Sequence, residues 1–352
     1  MKKNLLNNQI VEKYKIWFLV PLIILVVSAI VFLSFGITST VNASKNGAKP
    51  GEAVSGGIND GFNIGIDFEG GTLLTVILGE ENAVTKYDEN SKIIKDIIKN
   101  QGVNVSYIQK SNSGDDASII FKFDAVTPEK DLAIKQAIVE QYGNLELDKD
   151  VSSTTITATA SKDLVWTAVV SIIVSTILIL IYVIIRFEFW SAISAVIALT
   201  HDVLMMVCLT VIFRVQINSS FIAAIITIVS YSINATIVLF DRVRENYKLV
   251  KPGSDLKEYN RVICNKSVRE TFTRNINTTV TTLVAITVLA IIGDVSIREF
   301  ALPVIFGLIV GCYSSMVISP SIFVLLKNKF GKGMRVKKDK KTKAAREANE
   351  VA

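Results

Sequence analysis

The chain reads as a polytopic α-helical membrane protein with six transmembrane helices and one external α+β domain between the first and second. Three observations predict this. Half of the 352 residues are hydrophobic and only 20% are charged, with a mean hydropathy of +0.44, a composition typical of membrane proteins. Six apolar runs approach or exceed the ~20 residues that a spanning helix needs. The segment between the first two runs is polar, with strand and helix periods of its own.

The runs lie at 16–36, 164–185, 189–213, 219–240, 275–292 and 300–326. The fifth is the weakest, being short and rich in threonine. Six crossings place both termini on one side, and basic residues near membrane ends mark the cytoplasmic side. Lys2, Lys3, Lys13 and Lys15 sit in the 1–15 terminus. Nine Lys or Arg fall between Arg242 and Arg274, in the 241–274 loop, and ten between Lys327 and Arg346, in the 327–352 tail. The opposite side holds Arg214 in one short loop and Arg298 in the other, so cytoplasmic termini are expected. A competing reading makes the first run a cleaved signal peptide, since Val41-Asn42-Ala43 offers small residues. Its apolar core exceeds the roughly 7–15 residues of such peptides, and a membrane helix is expected.

The net charge of +6 follows from that topology and does not point to nucleic acid. Residues 37–163 hold twelve Lys and nineteen Asp or Glu, so the external segment is acidic. The basic loop and tail are expected to meet anionic lipid headgroups, at about 1 kcal/mol per Lys or Arg near the surface. Three cysteines, Cys208, Cys264 and Cys312, form no disulfide framework and read as free thiols.

Residues 37–61 are rich in Gly, Ser, Asn and Ala without an apolar period, and read as a linker. The domain at 62–163 then alternates. A strand over 62–78, interrupted at Gly70-Gly71, precedes a helix over 87–100 with Ile93, Ile94, Ile97 and Ile98 at helical spacing. Strands over 103–109 and 117–123 meet at Ser113-Gly114-Asp115. A helix over 128–142 and a β-branched strand over 153–159 follow. The order β-α-β-β-α-β predicts a ferredoxin-like domain. It carries no metal-ligand spacing and reads as a binding or moving part, swinging on the 37–61 linker and on a junction at 160–163.

Four stretches give the chain a resemblance. Phe62-Asn63-Ile64-Gly65-Ile66-Asp67-Phe68-Glu69-Gly70-Gly71 opens the external domain, and Leu199-Thr200-His201-Asp202 lies in the third span. Ser230–Asn246 closes the polar-rich fourth span with Asp241-Arg242-Val243-Arg244-Glu245-Asn246, and Ser267–Thr282 opens the fifth. Together these resemble the SecF-type subunits of the SecD/SecF protein-export membrane proteins, relatives of the RND transporters. The resemblance implies a SecD partner with a pseudo-symmetric second half and a place beside the SecY channel and, indirectly, the SecA ATPase. It also implies use of the ion gradient to draw unfolded exported proteins outward after ATP-driven entry. No cofactor or metal is implied. No nucleophile elbow, phosphate loop or metal-spaced cluster appears, so an enzyme is not expected. Rival readings are half of an RND-type exporter of lipids or small molecules, or a scaffold that does not couple to ions.

The resemblance makes Asp202, His201, Asn234 and Arg274 the candidates for ion coupling. Asp202 lies thirteen residues into its span, where a charge costs ~2.5–3.5 kcal/mol on insertion scales and needs a partner or a function. His201 points about 100° away on a helix, so no ready-made dyad is expected. Many relatives read Asn-Asp where this chain reads Asn234-Ala235. Alanine cannot carry a proton, and that role does not transfer. Arg274 stands at the inner entry to span five, where snorkelling to lipid phosphate competes with a coupling role. Asp241, Arg242, Arg244, Glu245 and Asn246 read as an ion-paired inner-face motif. Gly65, Gly70 and Gly71 read as backbone-geometry positions, with Asp67 able to cap or brace. Gly307 and Gly311 form a G-x-x-x-G for close helix packing.

Overall fold

Apolar length sets the first layer of the architecture. The computed structural model describes residues 10–45, 50–111, 117–248, 256–293 and 295–330. Among these, six helices are long and apolar enough to cross a bilayer, and the chain is a multi-pass membrane protein. In chain order, α1 (Tyr14–Lys45) is span one, followed by α2 (Pro50–Phe62) and the single turn α3 (Ile66–Glu69). The sheet domain comprises β1 (Gly71–Ile77), α4 (Tyr87–Asn100), β2 (Val105–Ser111), β3 (Ser118–Phe123), α5 (Pro128–Tyr142) and β4 (Val151–Ile156). Spans two to five are α6 (Ala158–Arg186), α7 (Phe189–Ile212), α8 (Ser219–Tyr247) and α9 (Leu256–Ile292). Span six is composite, with α10 (Val295–Tyr313), a wide π turn (Ser314–Ile318) and α11 (Ser319–Phe330).

The sheet order is β2-β3-β1-β4, every neighbouring pair antiparallel. Alternation sorts its faces. Leu74, Val76, Ile119, Phe121 and Phe123 meet Ile94 and Ile98 of α4 and Ile134 and Ile138 of α5 in one core. Each such side chain contributes about 1.5–3 kcal/mol on burial. Helix α5 starts with Pro128 at its first turn and ends at Gly143 in the left-handed region, φ 66°, the pairing that proline and glycine favour at opposite helix ends. The other face of the sheet, with Leu73, Thr75, Ile77, Ile120 and Thr154, looks onto the mouth of the helix bundle.

Lipid is as apolar as leucine, so the bundle is held by close packing and internal polar contacts. Span three presents Ser191, Ala192, Ser194, Ala195 and Ala198 as a buried small-residue face. Spans one and two, by contrast, leave most of their large side chains exposed, including Ile177, Leu178 and Ile185. Cys208, Cys264 and Cys312 are buried free thiols.

Four expectations are corrected. The 37–61 stretch is not a linker among its described residues, since α1 continues to Lys45 and α2 folds back against it. A Cβ on Gly57 would stand 1.9 Å from Thr40 Oγ1 and 2.7 Å from the Gly36 carbonyl, so small residues here serve contact between two helices. Residues 62–70 are not strand. Asn63 takes φ 56°, α3 intervenes, and β1 begins at Gly71. The 241–274 loop is largely helical, because α8 runs to Tyr247 and α9 starts at Leu256. The junction at 160–163 lies inside α6, whose N-cap Thr157 accepts from the Ala160 amide, so it is the first turn of span two and not a loop between elements. The Ser113-Gly114-Asp115 turn and nearly all of the basic tail lie outside the described residues.

Candidate functional site

At mid-height of the bundle three helices converge on one carboxylate. Asp202 on α7 is fully buried. Its Oδ2 accepts from Ser232 Oγ of α8 and from Ser314 Oγ at 2.7 Å, the first residue of the π turn. Its Oδ1 faces His201 Nδ1 at 3.0 Å. The expectation that the two neighbours do not pair is therefore corrected. Their Cβ directions diverge, but a carboxylate has two oxygens, one aimed at the hydroxyls and the other reached by the imidazole. The set accommodates two proton arrangements without moving heavy atoms. With Asp202 ionised, Nδ1–H donates to Oδ1; with Asp202 protonated, Oδ1–H donates to a neutral Nδ1. His201 Nε2 is buried with no hydrogen-bond partner among the described residues.

Gly311 lies over this cluster, where a Cβ would meet Ser232 Cβ at 3.3 Å and Asp202 Oδ2 at 3.8 Å. One turn away, a Cβ on Gly307 would meet Ile228 of α8 at 2.4 Å. The two glycines thus bring span six close to span four. Ser232 and Ser314, two hydroxyls that sequence reading did not single out as site residues, complete the cluster. Their signal was only that they are polar in apolar runs.

Asn234 and Arg274 are elsewhere. Both are exposed on the outside of the bundle, and neither joins Asp202. Around them, Thr227 and Ser230 on α8 and Thr278 and Thr281 on α9 are also exposed, and Thr282 is half-buried. Their hydroxyls bond back to carbonyls of their own helices, as Ser230 does to Ile226 and Thr282 to Thr278. Tyr231 Oη donates to Thr279 Oγ1 across the two helices at 3.2 Å. Asn275, which the sequence did not single out, is buried, and its Nδ2 has no hydrogen-bond partner among the described residues. Spans four and five thus carry a polar stripe at membrane depth.

At the end of the bundle remote from the sheet, the Asp241–Asn246 motif forms a network. Asp241 meets Arg186 of α6 at 3.4 Å and Arg244 at 3.1 Å. Arg242 meets Glu245 and Glu270, each at 2.7 Å. Asn246 is buried and donates to Ser267 Oγ at 2.9 Å and Glu270 at 2.8 Å. Further residues extend it. Asn260 of α9 bonds Tyr247 and Asn328, and Lys327 lies 4.0 Å over the Tyr247 ring and 3.0 Å from Glu188. All five of spans two to six meet here.

The opposite, sheet-proximal end is built on the Phe62–Gly71 motif. Ile64 pairs with Ile217 in the loop between spans three and four. The Gly65 amide donates to the Ile217 carbonyl at 2.8 Å, and the Ile217 amide to the Asn63 carbonyl at 3.0 Å. A Cβ on Gly65 would come within 3.1 Å of both Asn218 Cβ and the Ile217 carbonyl. Gly71, at φ 129°, stands where a Cβ would lie 2.8 Å from the Phe123 carbonyl, and Gly70 is at φ 81°. Asp67 Oδ2 accepts from the Ser219 amide at 2.8 Å. Between this root, the open sheet face and the span-six residues Arg298 and Glu299 lies a cavity of about 730 Å³. Among the described residues no group of His, Cys, Asp and Glu is placed to hold a metal ion.

The fold and these sites define a class: a helical membrane protein whose spans close around a buried carboxylate and whose sheet domain stands at one mouth. The family profile "Protein export membrane protein SecD/SecF, C-terminal" matches residues 135–329. SecF of Sebaldella termitidis is 34% identical over 270 residues, covering 75% of this chain and 82% of that protein. SecDF of Bacillus subtilis is 36% identical over 282 residues, 79% of this chain but only 35% of that longer protein. The crystal structure of SecDF from Thermus thermophilus, a translocon-associated membrane protein, superposes with a TM-score of 0.67 at 26% identity, over 89% of this chain and 38% of that one. The chain belongs to the SecD/SecF family of protein-export membrane proteins.

Proposed function

We propose that this chain is the SecF-type half of a two-part protein-export assembly in the bacterial cell membrane, not an enzyme. SecD supplies the other half, and the pair uses the ion gradient to promote outward movement of unfolded proteins entering through the SecY channel under the SecA ATPase. The observation that carries this reading is the polar stripe on spans four and five. Side chains such as Asn234 and Arg274 at or near membrane depth call for a protein neighbour, because lipid offers no partner for them. Tyr231 and Thr279 fix the relative height of the two helices, and Arg274 lies five residues, about 7.5 Å, nearer the end remote from the sheet. Ala235 favours a division of labour in which SecD brings the main titrating carboxylate to this stripe, while Asp202 is a secondary proton stop or fixed polar anchor. Sequence charge supports cytoplasmic termini, and the strand order β2-β3-β1-β4 supports reading the outer domain as ferredoxin-like.

Mild-detergent purification from the native membrane is expected to recover SecD with the chain, and Asn234→Leu to reduce that recovery. A monomer that alone transports a small molecule would sink the export reading in favour of an RND-type exporter. Reporter fusions after Gly143 and after Lys248 are expected to sit in opposite compartments. In vesicles, Asp202→Asn is expected to weaken gradient-driven export more than ATP-driven export. Unchanged gradient dependence would leave this subunit a scaffold for its partner.

A further inference from the structure

We infer that Asp67 is a positioning residue for the Asp202 cluster: it ties the sheet domain to the head of span four and so sets where Ser232 stands. The inference rests on the reading of that cluster as the coupling site.

Four amides at the start of a helix lack intrahelical acceptors. In α8 one of them is satisfied locally, the Phe221 amide by Asn218 Oδ1 at 3.2 Å. Span four therefore has a cap of its own, and the Asp67 bond to the Ser219 amide is an addition that links it to another part of the chain. The attachment is reinforced around it. Asn63 Nδ2 donates to the Arg214 carbonyl at 2.8 Å, and Arg214 returns bonds to the carbonyls of Asp60 and Gly61 at 2.7 and 3.0 Å. Lys122 of β3 donates to the Ile64 carbonyl at 2.8 Å and pairs with Glu69. A displacement of the sheet thus reaches residues 63–69, and from them the loop and helix head at 214–219.

From there the route is one unbroken helix. No glycine or proline interrupts Ser219–Tyr247, the usual causes of a kink. Ser232 lies thirteen residues on, about 20 Å along the axis, and its hydroxyl is bonded to Asp202. Raising or turning the head of α8 must move that hydroxyl against Oδ2, because buried packing leaves no slack to absorb the shift.

His201 is the single histidine of the chain, so selective histidine isotope labelling of the full chain in nanodiscs, purified on a histidine-free tag, gives one imidazole signal at the cluster. Asp67→Ala is expected to speed hydrogen exchange at the Ser219 amide about fivefold, the effect of a lost cap, and to shift the His201 signal. Asp67→Asn keeps an acceptor oxygen and is expected to restore both. Ser219→Pro guards against misfolding of the alanine variant. It deletes the donor at the first helical position, where proline is well tolerated, and Asn218 already has extended backbone, φ −131° and ψ −170°. It is expected to shift His201 as Asp67→Ala does. Faster exchange at Ser219 in Asp67→Ala, with a His201 signal unmoved in both Asp67→Ala and Ser219→Pro, would overturn the inference, as would unchanged exchange in Asp67→Ala. Neither readout involves export, so a failure of the export reading would leave these results standing.

Discussion

Two polar regions lie at membrane depth in this chain, and they are treated oppositely. Around Asp202 every oxygen has a partner from within the chain, across three helices and 112 residues of sequence. On spans four and five, Asn234 and Arg274 face outward, with Thr278, Thr281 and Thr282 beside them bonding back to their own helix. The difference teaches that polar content in a span is not one signal. The closed cluster is a device for holding three spans of one chain together, whereas the open stripe has the character of an interface.

That contrast can be broken in order of effect. Asp202→Leu strands the Ser232 hydroxyl and an imidazole nitrogen in the interior, each costing ~1–3 kcal/mol, and leaves Ser314 only its longer bond to the Gly311 carbonyl. The purified chain should lose several kcal/mol and unfold at markedly lower temperature, with Asp202→Asn milder. Equal thermal stability of the leucine variant and the parent would show that the cluster does not hold the bundle. Asn234→Leu should leave the thermal transition of the isolated chain within ~0.5 kcal/mol while reducing recovery of the partner. If it destabilises the isolated chain instead, the stripe is internal structure. Gly307→Ala forces a methyl to within 2.4 Å of Ile228 and should cost about 1–3 kcal/mol. Gly311→Ala, with its nearest neighbour at 3.3 Å, should cost less, and the reverse order would contradict the packing.

The smallest effect lies in the sheet domain. Burial of Lys135 disfavours its charge, but the Asp148 hydrogen bond and the Asp131 and Asp148 charges outweigh it, so its pKa is raised. A raised folded value means the stabilisation is complete below the unfolded value of about 10.4 and fades as pH climbs through the folded one. The melting temperature should be flat from neutrality to about pH 9.5 and fall above it, with Lys135→Met making the alkaline fall shallower, since burial also raises Tyr87 and Tyr142.

Much of the fold was legible because it follows period and punctuation. Helix 128–142 is read at the same limits in sequence and structure, its ends marked by Pro128 and Gly143. Failures came where a residue's meaning depends on a distant partner. Gly57 reads as flexibility until Gly36 and Thr40 are set against it. The 62–70 stretch reads as strand because its partner, Ile217, is far along the chain. Charge obscured the helices around 241–274, although Ile263, Cys264, Ser267, Val268, Thr271 and Asn275 are all buried at helical spacing. At the candidate site Asp202 stood out as a lone carboxylate. Ser232, Ser314 and the His201 contact did not, because hydroxyls are common in spans and an angle between Cβ directions does not fix where a two-oxygen group reaches.

The π turn at Ser314–Ile318 changes what kind of object span six is. A π turn holds one residue more than the α-helix would in the same rise. It sits just before Pro320, which has no amide to offer the preceding turn, and Ser321 Oγ takes up the Val317 carbonyl at 2.6 Å. Above the turn, Glu299 is bonded to Asn218; below it, Lys327 and Asn328 are bonded to Glu188 and Asn260. Span six is therefore two helical segments joined by a widened turn, each keyed to a different end of the bundle, with the buried carboxylate at the joint. Removing one residue from that turn would rotate the lower segment by about 100°, carrying Phe323 out of the core while leaving the upper segment in register.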